Sequence, residues 1–139
     1  MSTQNNDLHV RDVMLGLDEI PVISERNILK EALEAMGKSR LGIVCVTSPD
    51  GKLAGILTDG DIRRKLLTVQ KPFSAFFVDD AIEHGIRSPK IISPNATLIS
   101  AVQNMGEYQV WDLPVVDDNE KLVGLLHLHP AIKALLNIS

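Results

Sequence analysis

The sequence is short of several things at once, and each shortage removes a class of function. Its one cysteine, Cys45, lies inside the apolar run Ile43-Val44-Cys45-Val46, so a disulfide framework and a thiolate zinc site are both excluded and a buried core thiol is expected. Aromatic residues are few, three Phe, one Tyr and one Trp, which leaves the core to aliphatic side chains. No apolar stretch approaches the roughly 20 residues that span a bilayer. Met1–Asp7 lacks the basic and apolar regions of a signal peptide, so no membrane partner and a cytoplasmic location are expected. Basic residues do not exceed acidic ones: 14 against 18 give a formal charge of −4, and no global basic field draws nucleic acid. There is no nucleophile paired with a base, no pair of catalytic acids and no Walker-type glycine loop. The chain is therefore read as non-catalytic, with no catalytic residue assigned.

Internal repetition is what the sequence does have. Shifted by 69 positions it aligns with itself without gaps: Ile23-Ser24 falls on Ile92-Ser93, Leu29 on Leu98, Met36 on Met105, Gly55 on Gly124 and Leu57 on Leu126. A constant offset held through matches in order means two related halves. In each half a short apolar segment (Ile20 to Ile23; Lys90 to Ile92) leads into a polar turn and then into a helix with an apolar stripe, Ile28, Leu29, Ala32, Leu33 and Met36 in one and Leu98, Ala101, Val102 and Met105 in the other. Gly37 and Gly106 are expected to end these helices. A hairpin follows, Gly42 to Thr47 with Leu53 to Leu57 and Leu113 to Val116 with Leu122 to Leu126, and then a second helix. The expected fold is α/β (α+β): two β-α-β-β-α units, residues 8–68 and 79–139, joined by a connector at 69–78 and packed about a pseudo-twofold axis because neither could bury its apolar surface alone. The connector gathers Phe73, Phe76 and Phe77, read as packing between the copies, with a dimer contact or a base-stacking surface as alternatives.

The strand-to-helix turn of the first half carries the chemistry. A strand running straight into a helix leaves unpaired N–H groups and the positive end of the dipole at the turn, where anions settle. The Thr58 hydroxyl can bond a phosphate or ribose oxygen, and the Asp61 carboxylate can accept both hydroxyls of a ribose. Thr58-x-x-Asp61 is equally a capping-box pattern that needs no ligand. In the second half His127, Leu128, His129 and Pro130 stand at the corresponding places. Proline is tolerated in a first turn, but the carboxylate is gone, so one occupied site is expected. Two histidines at i, i+2 fall short of the three or four ligands a metal needs, and no metal site is assigned. The basic groups Lys38-Ser39-Arg40 and Arg63-Arg64-Lys65 read either as solvated surface or as phosphate contacts.

A pair of β-α-β-β-α units, the first holding Gly55-Ile-Leu-Thr58-Asp59-Gly60-Asp61, resembles the tandem cystathionine β-synthase (CBS) domain pair, or Bateman module. More narrowly, Gly55 through Arg64, the opening Val10-Arg-Asp-Val-Met14 with Asp18-Glu-Ile-Pro21, and the closing Gly124-Leu-Leu-His-Leu-His129 are similar to the C-terminal regulatory half of bacterial D-arabinose 5-phosphate isomerases. CBS pairs attached to sugar-nucleotidyltransferases carry a similar Thr-Asp-Gly-Asp-Ile-Arg-Arg segment. The resemblance implies a homodimeric ligand sensor that needs no resident cofactor. It would bind AMP or ATP, or a cytidine sugar nucleotide such as CMP-Kdo, through Arg40, Ile56, Thr58, Asp59, Gly60 and Asp61, with His127 and His129 of the second copy. It also implies a separate sugar-isomerase domain carrying the aldose–ketose chemistry. The alternative, from another class, is an architectural dimerisation module in which Thr58 and Asp61 only cap a helix.

Overall fold

Each hairpin read from the sequence lies in a three-stranded sheet in the computed structural model, which describes residues 7–68 and 72–137. Along the chain the elements are α1 (Val10–Val13), β1 (Leu15–Gly16), β2 (Val22–Ser24), α2 (Leu29–Ser39), β3 (Ile43–Thr47), β4 (Leu53–Thr58), α3 (Asp59–Thr68) and α4 (Phe73–Phe77). After a 3-10 turn at Ala81–His84 come α5 (Leu98–Tyr108), β5 (Asp112–Val116), β6 (Leu122–His127) and α6 (Leu128–Leu136). No helix among the described residues is long and apolar enough to cross a membrane.

The chain forms two compact units, one of residues Asp18–Pro89 and the other of the chain up to Leu17 together with the chain from Lys90 onward. In the Asp18–Pro89 unit the sheet order is β2-β3-β4, with β2 parallel and β4 antiparallel to β3. Leu29, Ala32 and Met36 on one stripe of α2 meet Val44, Val46 and Leu57 of the sheet, together with Ile62 of α3. The β-branched run of β3 is buried almost throughout, Cys45 included at 1% exposure. The other unit repeats this arrangement with Leu98, Ala101 and Met105 of α5 against Leu113, Val115 and Leu126.

The apolar segment Lys90 to Ile92 forms no strand but a single parallel bridge, Ile92 to Val115. A proline explains the difference. In the first copy the Cys45 N–H donates to the Pro21 carbonyl at 3.1 Å. Its counterpart 69 residues on is Pro114, which has no N–H to give, so the ladder loses a rung.

Two arms are exchanged between the repeats. Residues 8–17 open the first repeat yet pack with the second hairpin, where β1 pairs antiparallel with β6, Leu15 opposite Leu125. Residues 79–86 do the same for the first hairpin, with Ile86 bridging Ile56. The backbone bonds match pair by pair. Leu98 N–H to Leu8 O and Val10 N–H to Ala96 O in one unit repeat as Leu29 N–H to Asp79 O and Ala81 N–H to Asn27 O in the other. Close approach of the arms explains Gly55 and Gly124, where a Cβ would stand 2.5 Å from the carbonyl oxygens of Ile86 and Leu15 respectively.

Gly37 and Gly106 do not end their helices. Both α2 and α5 run on, to Ser39 and Tyr108, and the left-handed positions that stop them are Arg40 (φ 61°) and Gln109 (φ 57°). A non-glycine residue there gives up some backbone energy, on the order of 1 kcal/mol. The phenylalanine segment of the connector is helical. It folds into α4, and Phe76, 1% exposed, is spent in the core of the Asp18–Pro89 unit beside Ala81 and Ile82, while Phe73 stays exposed. Residues 69–71, the first part of the connector, lie outside the described residues.

Candidate functional site

β4 ends at Thr58 and α3 begins at Asp59, with no residue between them. The turn is closed reciprocally. The Asp61 N–H donates to Thr58 Oγ1 at 3.2 Å, and the Thr58 N–H donates to Asp61 Oδ2 at 3.1 Å. The second Asp61 oxygen, Oδ1, accepts from the Arg64 guanidinium at 2.7 Å, and the Asp61 side chain is only 12% exposed. The Asp59 N–H is fixed by the Gly42 carbonyl at 3.0 Å, and its carboxylate lies over that glycine, where a Cβ would meet Oδ2 at 2.8 Å. Above Gly60 lies the Arg64 guanidinium, 3.2 Å from where a Cβ would be. Thr58, Asp59, Gly60 and Asp61 thus form one continuous surface with Arg64 spread across it.

Two further expected contacts lie on the neighbouring elements. Arg40 caps α2 in an exposed position, two residues ahead of the Gly42 carbonyl that holds Asp59. Ile56 is buried, and its N–H and C=O pair with Ile86 at 2.9 and 2.8 Å.

The second copy uses the same backbone with other chemistry. Its helix start is tied in the same way, Leu128 N–H to Trp111 O at 2.9 Å. Pro130 supplies no carboxylate, and His127 makes no side-chain cap. Instead His127 Nδ1 donates to Asp112 Oδ1 at 2.7 Å across the hairpin, where the two residues are ladder partners. Burial pushes the Asp112 carboxyl above its ordinary value, against the opposing hydrogen bond and charge of His127. With Asp112 ionised, the bond places a proton on Nδ1. His129 is exposed on the first turn of α6, and Trp111, 71% exposed, stands where the first copy has Gly42. Neither Asp112 nor Trp111 was singled out from the sequence, although the offset of 69 sets them against Ile43 and Gly42.

A third grouping, Asp79, Glu83 and His84, brings three potential metal-ligating atoms within 4.8 Å of one another. His84 is buried against the Phe76 ring, and its Nε2 already donates to Asp79 Oδ2 at 2.8 Å. A metal at Nε2 would move the ring proton to Nδ1, which is buried with no acceptor. Metal-binding histidines ordinarily satisfy that second nitrogen, and what the structure shows is the Asp79–His84 bond joining two residues of one arm.

Comparison with known proteins gives one family. The CBS domain profile matches residues 10–68 and 81–136. Arabinose 5-phosphate isomerase KdsD of Yersinia pestis is 30% identical over 127 residues, which cover 91% of this chain but 37% of the isomerase. The chain therefore spans little more than a third of that relative's length. Among solved structures, a CBS domain-containing protein of Bacillus anthracis superposes with a TM-score of 0.85 at 18% identity, over 99% of this chain and 98% of its own. CBSX2, a CBS-pair protein of Arabidopsis thaliana, superposes in its complex with AMP with a TM-score of 0.80 at 24% identity, over 94% and 97%. At these identities the structural likeness speaks for the fold.

Proposed function

This chain belongs to the CBS-domain family and carries the domain twice, and from that premise we propose that it is a non-catalytic regulatory module whose first copy binds an adenine or cytidine nucleotide or sugar nucleotide. The observation that carries the reading is the Thr58–Asp61 turn: a hydroxyl, a largely buried carboxylate and a guanidinium gathered on the N-terminus of one helix, in one copy only. The hydroxyl and helix start suit a phosphate, and the carboxylate suits a ribose diol. CBSX2, which shares the fold, was solved with AMP. The likeness to KdsD supports a place as the regulatory part of an arabinose 5-phosphate isomerase, acting on a cytoplasmic sugar-isomerase domain and answering to a product such as CMP-Kdo. Pairing of two such chains into a homodimer completes the proposal.

Titration calorimetry with AMP, ATP, CMP and CMP-Kdo tests it. We expect one nucleotide per chain, with Asp61→Ala and Thr58→Ala each weakening binding by about 1–3 kcal/mol. The closed capping box favours one rival, the architectural module. If both substitutions lower the melting temperature and leave affinity untouched, the architectural reading stands and the sensor is discarded.

A further inference from the structure

We propose that Arg64 makes a phosphate group a requirement of whatever the Thr58–Asp61 turn binds, by exchanging one ion-pair partner for another as the ligand enters; this rests on the nucleotide reading of that turn. Both oxygens of Asp61 are already engaged, Oδ2 by the Thr58 N–H and Oδ1 by Arg64 at 2.7 Å. With the Asp61 side chain 12% exposed and Arg64 laid across it, a ribose diol approaching this carboxylate competes with the guanidinium for Oδ1. Arg64 is well placed to yield it. Its side chain is 66% exposed on a long flexible stem, and Nη1 already stands over Gly60 on the first turn of α3, where the helix dipole favours an anion. A neutral nucleoside would remove Asp61 from Arg64 and return nothing. A nucleotide returns a phosphate, which matches the planar guanidinium fork and restores its counter-charge. The second copy has neither member of the pair, since Pro130 replaces Asp61 and Lys133 replaces Arg64.

The experiment compares nucleotide with nucleoside. Calorimetry is run on the unmodified protein, Arg64→Gln and Arg64→Lys with AMP, adenosine, CMP and cytidine as probes. The unmodified protein should prefer the nucleotide of whichever pair binds. In Arg64→Gln the nucleoside should bind about threefold tighter, because the guanidinium of the competing pair is mostly exposed, and the nucleotide about tenfold weaker for want of its charge-assisted bonds. Arg64→Lys keeps the charge without the fork and should retain only part of the preference. If Arg64→Gln does not fold, the same ratio in Arg64→Lys decides. A nucleotide-to-nucleoside ratio unchanged by substitution overturns the role of Arg64 and leaves the nucleotide reading in place. No binding of any probe by the unmodified protein overturns both.

Discussion

At the end of β4 the residue opposite Thr58 in the ladder is Ile43, and at the end of β6 the residue opposite His127 is Asp112. The apolar partner leaves Thr58 to bond within its own turn, whereas the acidic partner draws His127 out of the turn and across the sheet. Because the folded state raises the Asp112 pKa through burial, it holds that proton more tightly than the unfolded chain does. The stabilisation is full below the ordinary carboxylate value of about 4 and is lost as pH rises through the raised one. Urea unfolding should therefore show the unmodified protein gaining stability over Asp112→Asn as pH falls from about 6 to about 4. An equal or opposite difference would remove burial as the cause. The Thr58–Asp61 pair was legible because both partners lie within one turn of helix. Asp112 was not, because the bond joins residues brought together only by the hairpin register.

Periodicity carries far at the scale of elements, since an apolar stripe every three to four residues and a β-branched run of five leave little choice of structure. It says nothing about clearance, and glycines show this best. Gly37 and Gly106 read as helix ends, but α2 and α5 pass through them, and nothing stands within 4 Å of a Cβ at either place. Gly55 and Gly124 read as mere strand positions, and they are where the crossing arms press on the sheet. The same substitution should thus act with opposite signs. Gly106→Ala should stabilise by about 0.5–1 kcal/mol, as alanine does in a helix interior. Gly55→Ala should destabilise by about 1–3 kcal/mol through overpacking against Ile86 and Ile82. Chemical denaturation of the two variants gives both numbers, and a gain at Gly55 would show that the arm can move aside.

For the molecule as a whole, the repeat was visible at an offset of 69 while the exchange of arms was hidden. The arms correspond at an offset of 71, Leu8 with Asp79 and Leu15 with Ile86, so an ungapped comparison slides them out of register by two positions. Removing residues 1–17 takes β1 from its sheet and the fully buried Val10 from its core. Amide exchange should then quicken in β5 and β6 while β3 and β4 keep their protection, and a uniform loss would contradict the division into units. The exchange also sets an order of events during synthesis. Ile56 needs only to wait for Ile86, thirty residues further on, so the Asp18–Pro89 unit can close while translation continues. Leu15 is made before that unit, and its partner, Leu125, is made after it. Until Leu125 follows, the segment around Leu15 has its strand edge unmet, open to chaperone capture for as long as translation of the residues between them lasts.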